Sequence, residues 1–152
     1  MALHALSPLD GRYEKETTPL RDFFSEFAYL RSRARLELDY LSALSKTGIC
    51  PPHNLSLDTF TDQDALKIQE YEKATRHDVK AIEYFLRDKF LESDSLLSDT
   101  QRQAAGLQII PYIHFGLTSE DVNNIAQALA LRDSRDQVIL PALDNLLASL
   151  RD

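Results

Sequence analysis

Tryptophan is absent from this 152-residue chain, cysteine and methionine occur once each, and glycine only four times. A single cysteine, Cys50, excludes an intrachain disulfide and a cysteine-built metal site. It precedes Pro51-Pro52 without an adjacent histidine or basic residue, so an inert thiol is expected. Four glycines are too few for a β-rich fold with many tight turns. No apolar run approaches the roughly 18 residues of a membrane span. The first twenty residues, which carry Asp10, Arg12, Glu14 and Lys15, do not resemble a signal peptide. Positive charge is in deficit: 17 Lys and Arg against 24 Asp and Glu give a net charge of −7. That balance disfavours nucleic acid and anionic membrane surfaces as partners, because their phosphates require a basic face. Zincin, CxxC, phosphate-loop and GxGxxG motifs are all missing, so no metal and no nucleotide cofactor of those classes is expected. A cytoplasmic location is the matching expectation.

What remains is ordinary in amount, with 43% hydrophobic and 27% charged residues, enough for one domain with a core. Its pattern is helical. After an expected ordered loop up to Thr18, Leu20, Phe23, Phe24, Phe27, Leu30, Ala34, Leu38, Leu41 and Leu44 recur at three- and four-residue steps. This predicts a helical face of about seven turns, with room for a break near Ser25, stopped by Gly48 and the two prolines. Arg31, Arg33, Arg35, Glu37 and Asp39 fill much of the remaining face. A loop is expected over Ile49–Phe60. Thr61-Asp62-Gln63-Asp64 then reads as a capping box for a helix carrying Ala65, Leu66, Ile68 and Tyr71. Val79, Ile82, Phe85, Leu86 and Phe90 predict another helix, with Asp78 as its cap. The polar stretch Leu91–Asp99 predicts a loop, and Ser98 with Gln101 a further short helix closing at Pro111. Thr118-x-x-Asp121 opens the last pattern, through Val122, Ile125, Leu129, Val138, Leu143, Leu146, Leu147 and Leu150. A kink or restart is expected at Pro141. The fold class read from these periods is all-α.

Three polar clusters stand at turns or helix mouths, where unpaired N–H groups and the helix dipole suit anions. In Thr75-Arg76-His77-Asp78, an imidazole that titrates near neutrality, a guanidinium fork and a carboxylate are consecutive, which suits substrate contact and acid–base work. The competing reading is a capped helix with a solvated arginine and a histidine packed on the first turn. Thr118 and Ser119 offer hydroxyls and amides to a carboxylate, or simply form a cap with Glu120 and Asp121. Asp10-Gly11-Arg12-Tyr13 is either a plain turn or a phosphate clamp through Arg12. His114, between Ile113 and Phe115, reads as a satisfied core histidine; His4 and His53 read as loop residues.

Taken in order, SPLDGRY at Ser7–Tyr13, ATRHDVKAIEYFL at Ala74–Leu86 and IHFGLTSEDVNN at Ile113–Asn124 resemble the N-terminal half of the adenylosuccinate lyase family, within the fumarase/aspartase superfamily. The likeness extends through RDQVILPALDNLL at Arg135–Leu147. It implies an N-terminal helical domain over 1–111 and the beginning of a central long-helix bundle over 112–152. It also implies β-elimination of fumarate from adenylosuccinate and from the succinylated carboxamide ribotide of purine synthesis, with no cofactor. By motif, Arg12 and Tyr13 would meet the phosphate side of the substrate. Arg76, His77 and Asp78 would line the pocket, His77 in a supporting acid–base role. Thr118 and Ser119 would bind a substrate carboxylate.

The family's general-acid histidine and base serine lie in motifs that this chain does not contain, and its active sites draw on three subunits of a homotetramer. The expectation is therefore an N-terminal fragment without activity of its own. The alternative is a non-catalytic helical interaction module derived from the superfamily. A lyase acting on argininosuccinate is disfavoured by the TRHDVKAIEY run.

Overall fold

The computed structural model describes residues 5–92, 104 and 106–151. Among these no strand occurs, and the fold is all-α as expected. The helices are α1 (Glu14–Thr17), α2 (Arg21–Phe24), α3 (Glu26–Lys46), α4 (Asp62–Thr75), α5 (Asp78–Glu92), α6 (Ser119–Ser134) and α7 (Leu140–Arg151). The residues fall into two compact units, Met1–Tyr29 with Gln127–Asp152, and Leu30–Ala126. This grouping differs from the expected division into 1–111 and 112–152 that the resemblance implies.

In the Leu30–Ala126 unit, the expected stripe of α3 is buried at Leu30, Ala34, Leu38, Leu41 and Leu44. From α5, Val79, Ile82, Phe85, Leu86 and Phe90 are buried as well. Full burial of side chains of this size is worth about 1.5–3 kcal/mol each, so these rows drive the packing. α4 and α5 pack as a pair. Ile68 is buried, while Lys67 bridges to Asp88 at 2.7 Å and Lys89 to Asp64 at 2.7 Å. Leu66, expected on the apolar face of α4, is 59% exposed. Its neighbours Ala65 and Ile68 already occupy the inward positions, which leaves Leu66 on the outer side of the turn.

Local signals set most boundaries. Thr61 and Asp64 exchange side-chain and backbone hydrogen bonds in the predicted capping box. α3 ends in a Schellman motif: the Ile49 N–H donates to Leu44 and the Gly48 N–H to Ser45, with Gly48 at φ +77°. The loop of residues 49–60 is present as expected.

In the other unit, the expected N-terminal loop contains the single turn α1. The Thr17 hydroxyl donates to the carbonyls of Leu9 and Tyr13, folding the preceding turn onto that helix. The break at Ser25 is real: the residue is extended (ψ 160°) and its hydroxyl accepts the Ala28 N–H. Pro141 does not stop the last helix. A five-residue π turn, Arg135–Ile139, lets Leu140 donate to Arg135, and the helix restarts around the proline that has no N–H to give. α7 buries no residue, and Leu143, Leu146, Leu147 and Leu150 are all about half exposed or more.

Three sequence expectations are corrected by the fold. The short helix expected to close at Pro111 instead passes into a 3-10 turn, Ile110–Tyr112, where the proline occupies an early position that needs no donor. Arg33 and Glu37, assigned to the outer face of α3, are buried at 5% and 1% exposure. α5 also runs to Glu92, so Leu91 and Glu92 are helical; the rest of the expected loop, the Ser98–Gln101 cap and His4 lie outside the described residues.

The Schellman cap yields a direct test. A Cβ at residue 48 meets no atom within 4 Å, so Gly48→Ala isolates the backbone cost of the left-handed conformation. Urea denaturation should show a loss of about 1 kcal/mol. An unchanged midpoint would show that the cap does not fix the end of α3.

Candidate functional site

The turn between α4 and α5 is built by the chain's own geometry. Arg76 ends α4 in the left-handed region (φ +52°), its N–H donating to the Glu72 carbonyl at 2.7 Å. His77 follows and caps α5. Its carbonyl accepts from Ala81, and its ring Nδ1 accepts the Lys80 N–H at 3.1 Å. Asp78, expected as the cap, is instead the first helical residue. Its Oδ1 accepts the Val79 N–H at 2.8 Å and its Oδ2 the Arg33 guanidinium at 2.7 Å. The ring wins the cap because Asp78 is committed to Arg33.

This arrangement decides which nitrogen of His77 carries the proton. Asp78 Oδ1 stands 3.7 Å from Nδ1, beyond hydrogen-bond reach, whereas the Lys80 N–H is within it. A ring nitrogen that accepts an N–H is unprotonated, so the neutral ring bears its hydrogen on Nε2. His77 is half exposed, and Arg76 is exposed beside it. Together they present an Nε2–H donor and a guanidinium at the end of a helix.

The second mouth opens α6. Thr118 and Asp121 form a reciprocal cap: the Thr118 N–H and hydroxyl donate to Asp121 Oδ2 at 2.7 and 2.8 Å, and the Asp121 N–H returns to the hydroxyl at 3.3 Å. Thr118 therefore serves the cap that its sequence spelled, and Ser119 is the first helical residue, half-buried. The preceding turn holds His114 at φ +60° and Gly116 at φ +72°. His114 Nδ1 meets Glu37 Oε1 at 2.5 Å, and the Tyr40 hydroxyl donates to the Phe115 carbonyl at 3.0 Å. His114 is thus a satisfied histidine, as its apolar flanks suggested.

Charge burial dominates the electrostatics. Burial pushes the Glu37 carboxyl above its usual range; the His114 hydrogen bond resists that push and the nearby Glu83 charge reinforces it. Burial acts on Asp78 in the same direction. There the Val79 amide and the Arg33 guanidinium outweigh it and hold the carboxyl below its ordinary value of 3.8. The Cys50 thiol is buried and pushed up, as befits an unreactive side chain. Burial lowers the His53 imidazole, whose ring stands edge-on to Phe90.

The structure thus brings Arg76, His77, Asp78, Thr118 and Ser119 into one compact unit. Arg12 and Tyr13 belong to the other, where both are exposed and the guanidinium lies 4.8 Å from the tyrosine ring centre. A cleft of about 400 Å³ in that second unit, lined by Phe23, Phe24, Tyr29, Ala130 and Leu131, contains none of the candidate residues. Among the described residues, no group of three His, Cys, Asp or Glu side chains is placed to hold a metal ion, and no helix is long and apolar enough to cross a membrane. Sequence reasoning missed Arg33, Glu37 and Tyr40. The available signal was that positions 33 and 37 sit one turn apart beside Leu30, Ala34 and Leu41, inside the apolar stripe.

The Asp78 contacts predict a pH dependence. Because its folded value is lowered, the unfolded chain binds the proton first, so the stability Asp78 contributes is complete above about pH 3.8 and lost as pH falls through the lower folded value. Glu37 has the opposite sign, its burden easing as pH falls toward its ordinary 4.5. The stability difference between the natural chain and Asp78→Asn should be flat down to about pH 4 and shrink below it. A difference independent of pH would remove the Arg33–Asp78 pair from the account.

Comparison with known proteins places these motifs in context. A family described as lyase matches residues 11–152. The chain is similar to the adenylosuccinate lyase of Haemophilus influenzae, with 40% identity over 95% of this chain and 32% of that protein. It is similar to that of Buchnera aphidicola subsp. Acyrthosiphon pisum, with 38% identity over 99% of this chain and 33% of that protein. For the Escherichia coli adenylosuccinate lyase, the identity is 36% over 99% of this chain and 33% of that protein. The chain spans about a third of the length of these curated relatives.

Proposed function

This chain belongs to the lyase family, and from that premise we propose that its residues form part of an adenylosuccinate lyase, a C–N lyase that releases fumarate by β-elimination. The observation that carries the reading is the run of similarity over 95–99% of the chain to proteins of that name, with all three motif clusters inside it. The substrates are adenylosuccinate, giving AMP, and the succinylated carboxamide ribotide, both small molecules in a cytoplasmic setting. Nucleic acid and membrane have no part in it.

In this reaction a base removes a proton from the carbon beside a carboxylate, charge builds on that carboxylate, and the departing nitrogen takes a proton. At the α6 mouth the Ser119 hydroxyl and N–H are suited to the carboxylate, Thr118 joining them only by exchanging its Asp121 hydrogen bonds for the substrate, and Arg12 with Tyr13 to the phosphate side. His77 offers its Nε2–H as a donor and Arg76 a guanidinium fork. With Nδ1 tied to the Lys80 amide, His77 supports the substrate or the departing group and does not perform the first proton abstraction. Asp78 acts mainly by anchoring the turn. The general acid and base of the family are supplied by residues outside this sequence, so the 152-residue chain alone has no turnover. The working enzyme is a homotetramer, and the half-exposed leucines of α7 are the surface that assembly would cover.

A chimera tests this directly. Residues 1–152 replace the matching third of the Haemophilus influenzae enzyme, and adenylosuccinate cleavage is followed by absorbance. The chimera should turn over, the chain alone should not, and His77→Gln in the chimera should cost roughly 10²-fold or more in turnover. A folded, tetrameric chimera without activity would contradict the assignment. Near-normal turnover in His77→Gln would return that histidine to a purely structural cap.

A further inference from the structure

The two motif mouths that carry the candidate site are held by one helix. On α3, Arg33 and Glu37 stand a single turn apart, their side chains 7% and 0% exposed. Each reaches a different motif: Arg33 takes Asp78 Oδ2 at 2.7 Å, 45 residues away in sequence, and Glu37 takes His114 Nδ1 at 2.5 Å, 77 residues away. Tyr40, one turn further along, adds its hydrogen bond to the Phe115 carbonyl. Both turns so anchored contain a non-glycine residue at positive φ, Arg76 at +52° and His114 at +60°, the two such residues among those described. Conformations of that kind persist only where surrounding contacts enforce them. A buried carboxylate costs far more than an apolar side chain would at the same place. Glu37 carries that cost even though its second oxygen, Oε2, finds no hydrogen-bond partner among the described residues, so packing alone does not account for it.

We propose that Arg33 and Glu37 are positioning residues for the substrate site: Arg33 sets the His77 mouth through Asp78, and Glu37 sets the Thr118 mouth through His114. The contacts stand without any functional assignment; their bearing on turnover rests on the lyase reading. α3 thereby fixes the relative placement of the His77 donor and the α6 mouth at Thr118–Ser119. Neither Arg33 nor Glu37 needs to touch substrate to do so. The effect of Arg33 is transmitted through Asp78 and that of Glu37 through His114, and the two effects are separable.

Amide hydrogen exchange on the 152-residue chain reads that separation. The Thr118 and Asp121 amides report the α6 mouth, and the Val79 and Lys80 amides report the α5 mouth. Glu37→Leu, which removes the acceptor and keeps the bulk, should speed exchange at Thr118 and Asp121 roughly tenfold while leaving Val79 and Lys80 nearly unchanged. Glu37→Gln, which can still hydrogen-bond His114, should restore most of the protection. Arg33→Met should give the converse pattern, with Arg33→Lys as its partial rescue. If either apolar variant fails to fold, the Gln and Lys variants still decide the matter: each must perturb its own mouth more than the other. Uniform acceleration at both mouths, or none at either, would overturn the proposal and leave these residues as general core charges. In the chimera described above, Glu37→Leu should lower kcat and Glu37→Gln should recover it. Loss of activity in the unsubstituted chimera would count against the lyase reading, while the exchange pattern would stand or fall separately.

Discussion

The placement of two charges inside an apolar helix face governs the rest of the Leu30–Ala126 unit. A guanidinium and a carboxylate, one turn apart on α3, are buried among leucines and alanines, where an unpaired charge is prohibitive. Each must find a partner of matching chemistry: Arg33 meets Asp78 and Glu37 meets His114. Burial of the apolar stripe brings the helices together without specifying direction. The two buried pairs specify it, because a shift of either turn would strand a charge.

From that constraint the chemistry of the first mouth follows in sequence. Asp78, committed to Arg33 and to the Val79 amide, is not free to cap α5 from outside. The cap falls to the His77 ring, which accepts the Lys80 N–H at Nδ1 and leaves its proton on Nε2. A buried arginine thus sets which face of an exposed imidazole is a donor. The second mouth has a parallel logic. Glu37 holds His114 in the left-handed region, Gly116 completes the turn, and the Thr118–Asp121 box starts α6.

Much of this was legible in the residues. The capping boxes at Thr61–Asp64 and Thr118–Asp121, the Gly48 stop, the Ser25 break and the restart at Pro141 are local events, written by side chains within four residues of the backbone they serve. The apolar stripes on α3 and α5 were equally plain. Arg33 and Glu37 were not, because a charge on a helix reads as solvent-facing unless its distant partner is known, and those partners lie 45 and 77 residues away. The same blindness assigned the α5 cap to Asp78: aspartate is the better cap by propensity, and only the tertiary contact to Arg33 diverts it. His114 was read correctly as a satisfied histidine, but the residue that satisfies it could not be named. The motif residues themselves stood out because three polar clusters coincide with turns and helix mouths. What each does for a substrate is a matter of chemistry beyond the backbone signals.

The Glu37–His114 contact is the central one, since it ties a buried charge to a strained turn in the candidate site. A double-mutant cycle measures it directly: Glu37→Leu, His114→Gly and the pair, each assessed by urea denaturation of the 152-residue chain. Glycine suits the positive φ at position 114, and its backbone effect cancels in the cycle. The expected coupling is about 1.5 kcal/mol or more, the range for a hydrogen bond involving a charged group. Two effects that simply add would show that Glu37 and His114 do not depend on each other, and the claim that α3 holds the second mouth would fail.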